Sequence, residues 1–231
     1  MGSHLKKLVD GLRQTPLHPQ WFALKDEKRN LGASCAQLQG TVLDVGCAES
    51  KPRAFLPSGA TYIGLDNYST AMDWYDTRPD VFGDAQALPF ADSSIDHALL
   101  FDVLEHLPGP DRSLAELYRL LKPGGSLILQ VLFLYPLHDE PLDFHRWMRH
   151  GFSVSDELAI GHPLETTPLN GNIALRKTII NWPKGKNPLG LSAIALPFVV
   201  LGINCSAWLL VRLSRHDDLM PHTYRVIWTK R

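Results

Sequence analysis

The stretch from residue 41 to residue 50 constrains the fold of this chain most, because an apolar, β-branched run passes abruptly into small residues there. Residues 41–45 predict a buried strand, and residues 46–50 predict a tight turn at its carboxyl end. In a parallel sheet such a turn lines a ligand crevice. Its glycine spacing is incomplete and no Gly-Lys-Ser/Thr follows it, so we expect a nucleoside ligand without a phosphate cradle.

Two further carboxylates follow at the ends of predicted strands. Residues 60–66 form a strand that ends in Asp66, about twenty residues past the turn, where a ribose-binding acid is expected. A short apolar strand from Val81 ends in Asp84, whose carboxylate or neighbouring backbone can accept a hydrogen bond from an adenine amine. Together with Asp44, these acids predict one shared cleft at successive strand ends.

The later chain continues the alternation of strands and helices. Residues 95–101 and 126–133 are continuous apolar runs, which are typical of strands buried on both faces. Between them, leucines at helical spacing predict an amphipathic helix that ends at residues 122–125. This alternation predicts a doubly wound α/β fold with a mostly parallel sheet.

Composition limits the partners that we expect. The 231 residues are 45% hydrophobic and carry a formal net charge of −1, which favours one α/β domain with an appendage and disfavours a nucleic-acid partner. The cysteines Cys35, Cys47 and Cys205 are scattered, without a zinc spacing, and indicate reduced thiols. Reduced thiols in turn predict a cytoplasmic protein, with peripheral membrane contact through 187–211 as an alternative, and no apolar signal segment follows residues 1–4.

Five motifs, in order and spacing, resemble those of the class I S-adenosylmethionine-dependent methyltransferases, and most closely the type 11 small-molecule branch. The motifs are residues 43–47, 64–66, 83–90, 103–106 and 121–125. The resemblance implies a Rossmann-like sheet of seven strands whose last strand, here 223–229, is antiparallel. It also implies S-adenosyl-L-methionine as the cofactor and methyl transfer as the activity.

The resemblance implies cofactor-binding roles for particular residues. Asp44 would orient the turn and the amino group of the cofactor, Asp66 would accept from the ribose hydroxyls, and Asp84 would face the adenine amine. The other cofactor-binding residues that we expect are Gly46, Cys47, Ala48, Asn67, Ala85 and Phe101. This chain departs from the family at Ala48 and Ser50, where glycine is more common.

The segment 135–147, just past the fifth strand, is rich in histidines and charges and lies where a doubly wound sheet holds its substrate. We predict His138 or His145 as a general base, Asp143 as its orienting partner, and Arg146 as a partner of Asp143 or of an anionic acceptor group. The alternative is a solvated loop in which Asp143 and Arg146 merely pair. We expect no metal site, because the histidine spacing is not a recognised one.

The most unusual segment is 187–211, which contains no charged residue and has about the length of a membrane span. It is interpreted either as a helix or hairpin at a lipid surface, or as a helix buried in the core of the chain or in a homodimer interface. The domain boundaries that we expect are an N-terminal helical cap at 1–39 with Leu5, Leu8, Val9 and Leu12 on one face, a cofactor-binding core at 40–134, an acceptor-side insert at 135–221 and a closing strand at 222–231.

Three functions are consistent with these patterns. The first is an S-adenosylmethionine-dependent methyltransferase acting on a small or lipid-linked acceptor. The second is a non-catalytic binding or scaffold protein with the same fold. The third, a nicotinamide-dependent oxidoreductase, needs a full glycine fingerprint, which Ala48 and Ser50 do not supply.

Overall fold

The computed structural model describes residues 12–151, 157–180, 191–215 and 219–231. These residues form a seven-stranded sheet. The order in the sheet is β3-β2-β1-β4-β5-β7-β6. The strands are β1 (Thr41–Val45), β2 (Thr61–Asp66), β3 (Val81–Phe82), β4 (Ile95–Phe101), β5 (Leu121–Leu132), β6 (Glu157–Ile160) and β7 (Thr223–Thr229).

The first five strands pair in parallel, and β7 runs antiparallel to β5. Strands β1, β4 and β5 are buried on both faces, which their uninterrupted apolar sequences predict. The predicted doubly wound, mostly parallel fold with an antiparallel last strand is therefore confirmed. The strand order reverses between β1 and β4, and in such sheets the ligand crevice lies at that point.

The helices begin and end at the residues that their sequences favour. Pro110 occupies the first turn of its helix, where a missing N–H costs nothing, and Lys122-Pro123-Gly124-Gly125 lies beyond the end of that helix, at the start of β5. The α-helices among the described residues are α1 (Trp21–Leu24), α2 (Glu27–Cys35), α3 (Pro110–Leu120), α4 (Pro163–Ile180) and α5 (Leu191–Leu213). One-turn helices of the 3-10 type cover Lys51–Phe55, Leu104–His106 and Arg149–Gly151, and a π-helix covers Thr70–Tyr75.

The chain divides into two compact units. An α/β unit comprises 28–133, 137–158 and 223–231, and a helical unit comprises 1–27, 134–136 and 159–222. The core of the helical unit is a cluster of Phe22, Leu169, Ile173 and Ala207. The predicted helix face with Leu5, Leu8 and Val9, and the first residues of the apolar segment 187–211, lie outside the described residues.

Helix α5 carries the described part of that apolar segment. Most of its large apolar side chains are exposed. For its described side chains, from Ala195 onward, the interpretation as a helix buried in the core of this chain is therefore wrong, because the core covers only one stripe of the helix.

Candidate active site

The turn after β1 has the tight geometry that its small residues predict. Gly46 has a φ of +72°, and the backbone N–H groups of Gly46 and Cys47 both donate to the carbonyl oxygen of Leu65, at 2.8 and 3.1 Å. A Cβ on Gly46 would lie 2.3 Å from Cγ2 of Val103. Glycine is therefore required both by the backbone conformation and by the close approach of the chain that follows β4.

Ala48 and Ser50 retain a glycine-like backbone although each carries a side chain. Their φ angles are 43° and 53°, in the left-handed region. This conformation costs a residue with a Cβ about 1–2 kcal/mol. The departure from the family pattern thus places two residues with side chains in a conformation that favours glycine.

Relieving this strain gives a first testable prediction. We expect Ala48→Gly to raise the free energy of unfolding by about 0.5–1 kcal/mol, because the strain released exceeds the extra entropy of glycine in the unfolded chain. Urea unfolding measures the change. The matched control Ala54→Gly, in the helix Lys51–Phe55, should lower stability by a similar amount. A loss of stability in both variants would show that Ala48 is not strained in its left-handed conformation.

Asp66 closes the turn from the end of β2. Its Oδ2 accepts from the N–H of Ala48 and its Oδ1 accepts from the N–H of Asn67, each at 2.8 Å. The side chain is buried, and burial raises the pKa of Asp66 although both backbone hydrogen bonds oppose the shift. Each oxygen keeps a second lone pair, so Asp66 can accept from ribose hydroxyls while it holds the turn.

Asp44 is the most strongly perturbed carboxylate of the turn. It lies one residue before the end of β1, is 2% exposed and accepts a hydrogen bond of 2.6 Å from the hydroxyl of Tyr62. Burial raises the pKa of Asp44 to about 7, opposed by the Tyr62 hydrogen bond and reinforced by the charge of Asp66. Asp44 and Asp66 therefore influence each other electrostatically, as the prediction of a shared cleft requires.

Asp84 differs from the other two predicted acids. It is exposed, lies two residues beyond β3, and its Oδ1 accepts from the N–H of Gln86 at 2.8 Å. The contact caps its own turn, and the adjacent Ala85 is buried. Its role toward an adenine amine stays a prediction.

The other predicted cofactor residues have defined local surroundings. Asn67 is exposed and its Oδ1 accepts from the N–H of Ser69. Phe101 packs on a core cluster that includes Val42 and Leu99. Burial raises the pKa of the Cys47 thiol to about 11, so the thiol is neutral, and its role toward the cofactor stays a prediction.

Carboxylates from several strand ends converge on Tyr75, which sequence reasoning did not single out. Burial raises the pKa of Tyr75, and the charges of Asp139, Asp66, Glu49 and Asp102 raise it further. These groups come from the ends of β1, β2 and β4 and from the segment after β5, so negative charge gathers around Tyr75, whose side chain is 44% exposed. Negative charge in one place favours a ligand with positive charges.

Asp102, at the end of β4, is held by a short chain of hydrogen bonds. Nε2 of Gln130 donates to Asp102 Oδ2, and Nη2 of the buried Arg225 donates to Gln130 Oε1, both at 2.9 Å. Asp102 has a φ of 54°, a strained conformation of a kind that clusters at functional sites. No sequence pattern linked these residues, because they come together only when β4, β5 and β7 pair.

The segment past β5 brings together three of the four predicted catalytic residues. Oδ2 of Asp143 lies 3.2 Å from Nδ1 of His138 and accepts from the His138 backbone N–H at 3.0 Å. Arg146 pairs with both oxygens of Asp143 and, with His138, holds the pKa of Asp143 well below its usual range. His145 instead contacts the rings of Phe144 and Trp147, so the geometry favours His138 as the base.

Glu105 is a site residue that sequence reasoning missed. Its side chain is fully buried, and among the described residues its carboxyl oxygens have no hydrogen-bond partner apart from its own backbone amide. Burial, then the charge of Asp102, raises the pKa of Glu105 well above its usual range. The signal in the sequence was an acid within the apolar motif at 103–106.

One cluster contains Glu105, His106 and His138. Each offers one atom that could bind a metal ion, and these three atoms lie within 4.8 Å of one another. The N–H of Phe144 donates to the Glu105 carbonyl oxygen at 2.8 Å, and the N–H of Trp147 donates to that of Leu132 at 3.0 Å. These bonds fix the segment to the ends of β4 and β5. The cluster can move a proton, and its two imidazoles and one carboxyl are also a donor set that a metal ion can use.

Fold and site together define a class of protein. The strand order, the antiparallel β7 and an acidic crevice around a tight turn after β1 are those of a class I methyltransferase fold. Residues 43–129 match the family described as methyltransferase domain, type 11, and this part of the chain is a class I S-adenosylmethionine-dependent methyltransferase domain of that family. Its cofactor is S-adenosylmethionine, which replaces the nicotinamide considered as an alternative.

Known proteins similar to this chain support the assignment. A sterol 24-C-methyltransferase of Pneumocystis carinii is 28% identical over 130 residues, covering 51% of this chain and 34% of the relative. An uncharacterized methyltransferase of Mycobacterium tuberculosis is 38% identical over 96 residues, covering 38% of each chain. This chain thus spans little more than a third of the length of these relatives. The crystal structure of the [4+2]-cyclase SpnF, 20% identical, has the same fold, with a TM-score of 0.53 over 91% of this chain and 82% of that chain.

The residues of the crevice fit this cofactor. S-adenosylmethionine carries a positive sulfonium and a positive ammonium group, and Asp44, Asp66, Glu49 and Asp102 supply opposite charge or acceptors nearby. The tight turn at Gly46 lets the backbone approach a ligand closely. Each of the roles given to single residues remains a prediction for binding experiments.

Proposed function

We propose that this chain transfers a methyl group from S-adenosylmethionine to a small or lipid-linked acceptor bound at the segment 137–147. The observation that carries the proposal is the cluster of Glu105, His106 and His138 at the carboxyl ends of β4 and β5. Beside this cluster, Asp143 lies next to His138 and is itself paired with Arg146. The name of the sterol 24-C-methyltransferase relative supports an apolar acceptor.

When bound, the cofactor would supply an activated methyl group: the carbon–sulfur bond would break with its electron pair left on sulfur, and an electron pair of the acceptor would form the new bond to carbon. Holding donor and acceptor in line supplies several kcal/mol of the barrier. The chain's residues must therefore bind, orient and accept one proton from the acceptor atom.

His138 is suited to accept that proton. Burial lowers the pKa of His138, and the neighbouring Asp143 opposes the shift, so the imidazole is neutral at pH 7. Because Asp143 lies at Nδ1, the tautomer with Nδ1–H is favoured and Nε2 is left as the acceptor. The raised pKa of Glu105 favours the protonated carboxyl, and in that form Glu105 can donate a hydrogen bond to an acceptor oxygen.

Calorimetry and labelling test the proposal together. We expect saturable binding of S-adenosylhomocysteine, and transfer of label from methyl-labelled S-adenosylmethionine into an extractable small molecule or lipid when the chain is incubated with a metabolite and lipid extract. Binding without transfer would favour the non-catalytic alternative. Absence of binding at millimolar ligand would contradict the cofactor site itself.

Two variants separate binding from turnover. We expect Asp66→Ala to weaken S-adenosylhomocysteine binding by about tenfold or more, because the turn loses two hydrogen bonds and the ribose loses its acceptor. We expect His138→Ala to leave this affinity unchanged and to lower the labelling rate by about 10²-fold or more. If both variants behave alike, the division of roles is wrong.

The pH dependence of turnover follows from His138. Since the pKa of His138 is lowered from 6.5, we expect the labelling rate to change little above pH 6.5 and to fall at lower pH as the imidazole gains a proton. His138→Gln should remove this acidic limb. A limb that persists in the variant would assign the titrating base to another group.

A further inference from the structure

Helix α5 has an apolar surface that none of the residues described by the structure covers. The segment Ala195–Leu213 has a mean hydropathy of 1.8, and only 17% of its most apolar stretch of 18 residues is buried. Its buried residues Val200, Asn204 and Ala207 follow the spacing i, i+4, i+7 and so form one narrow stripe. The exposed large side chains occupy the rest of the circumference and are Phe198, Val199, Ile203, Trp208, Leu209, Leu210 and Leu213.

The width of this surface indicates what covers it. An amphipathic helix at a water-facing surface carries charged residues opposite its apolar stripe, whereas the exposed arc of α5 has no charge from Ala195 to Val211. A second helix from another copy of the chain would cover one further stripe of about the same width as the buried one. A bilayer covers the whole arc at once.

Basic residues flank the helix on both sides. Lys184 and Lys186 precede it in the sequence, and Arg212 and Arg215 lie at its other end, ahead of Asp217 and Asp218. The guanidinium of Arg212 lies 3.6 Å from the centre of the Trp208 ring. Tryptophan and arginine near a helix end are typical of the boundary between hydrocarbon and headgroups.

The contacts of Asn204 fix the orientation of α5. In the middle of the helix, its Nδ2 donates to the carbonyl oxygens of Pro16 and His18, at 2.8 and 3.2 Å, and its Oδ1 accepts from Asn172 at 2.9 Å. A helix that crossed a bilayer would carry these polar partners into the hydrocarbon, at a cost of several kcal/mol. A helix lying in the plane of the membrane keeps them on its protein side.

We propose that α5 is a monotopic membrane anchor, which lies in the plane of an anionic bilayer with its exposed arc in the hydrocarbon boundary. An open groove of about 470 Å³ between α4 and α5, lined by Leu164, Pro168, Gly202, Ile203 and Leu210, lies partly on this arc and has room for part of a lipid chain. The anchor concerns the helical unit and stands independently of the proposed methyl transfer.

Cys205 allows a direct test, because it is the exposed cysteine of α5 while Cys35 and Cys47 are buried. The full chain is labelled at Cys205 with an environment-sensitive dye and mixed with vesicles of phosphatidylserine and phosphatidylcholine. We expect the chain to float with the vesicles, the dye emission to shift to the blue, and nitroxides on the upper acyl chain to quench it. Vesicles of phosphatidylcholine alone, or high salt, should bind less, since the basic residues lose their counter-charges.

The variant Phe198→Glu/Leu209→Glu should lower the vesicle-bound fraction by about tenfold or more, because two exposed apolar side chains that the bilayer would bury are replaced by charges. The matched control Tyr118→Glu changes an equally exposed apolar side chain on α3 and should bind vesicles as the unchanged chain does. Circular dichroism and urea unfolding check that each variant is folded.

Three results would overturn the anchor. The first is that the unchanged chain and the double variant both stay in the soluble fraction. The second is a dye that is already shielded without vesicles in a chain that sediments as a dimer, which would assign the arc to a second copy. The third is quenching at the bilayer centre as strong as at its boundary, which would indicate a helix that crosses the membrane.

Discussion

Replacing Asp44 by asparagine is expected to stabilise the protein at pH 8 and to weaken cofactor binding at the same time. The carboxyl is almost fully buried and its pKa is raised from 3.8 to about 7. Between these two values the folded protein retains a proton that the unfolded chain releases, so stability falls as the pH rises through this window. An amide in the same place has no charge to desolvate and can still accept from Tyr62.

The expected gain from Asp44→Asn is about 2–4 kcal/mol in the free energy of unfolding at pH 8 and less than half of that at pH 5. Urea unfolding at both pH values measures it. Asp84→Asn, at an exposed carboxylate, is the matched control and should change stability little. An equal gain at both pH values would show that a mechanism other than ionisation is responsible.

The same variant tests whether the cost of burying Asp44 serves the ligand. If the carboxylate holds the ammonium group of the cofactor, the affinity for S-adenosylhomocysteine rises with pH through about 7 in the unchanged chain, because the ligand binds the ionised form. In Asp44→Asn we expect the affinity to fall by about tenfold or more and to lose this pH dependence. Calorimetry over the same pH range detects both effects. An unchanged affinity would assign Asp44 to the structure of the turn alone.

A methyl group on Gly46 is expected to have the second large effect. In Gly46→Ala the new Cβ meets Val103, and the residue must hold a φ of +72°. The backbone strain costs about 1–2 kcal/mol and the overlap about 1–3 kcal/mol, so stability should fall by about 2–5 kcal/mol. Cofactor binding should weaken further, since the turn must move.

Two variants divide this loss into its parts. Gly124→Ala adds a methyl group at a φ of +80° with no atom within 4 Å, so it should show the backbone strain alone. The double variant Gly46→Ala/Val103→Ala should recover the part due to overlap, apart from the ordinary cost of truncating a valine. If Gly124→Ala is as destabilising as Gly46→Ala, the close approach of Val103 has no energetic weight.

Sequence patterns predicted the fold because each strand and turn carries a local signal. The runs 95–101 and 223–229 appear in the structure as β4 and β7, and the turn at Gly46 has the predicted tight conformation. Local patterns do not report what lies opposite a residue after folding. Glu105 and Tyr75 were missed for this reason, since burial and the charges of distant strand ends set their pKa values.

The same limit explains why the sequence left two alternatives open, namely what surrounds residues 187–211 and which histidine is the general base. An apolar sequence predicts that a helix is buried, but it does not indicate whether protein or lipid buries it. In the structure, only a narrow stripe of α5 is buried against other described residues, and the rest of the helix is exposed. His138 and His145 were equivalent candidates in sequence. The contact of Asp143 with His138 distinguishes them, and it depends on the path of the segment after β5.

The antiparallel pairing of β7 with β5 has a consequence for how the protein is made. During synthesis β5 leaves the ribosome about ninety residues ahead of β7, at about 5–20 residues per second, and until β7 arrives its outer row of backbone amides and carbonyls has no strand to bond. Such a row is a template for aggregation. The nascent chain therefore depends on its final strand for solubility, and we expect chaperones to engage it during that interval of several seconds.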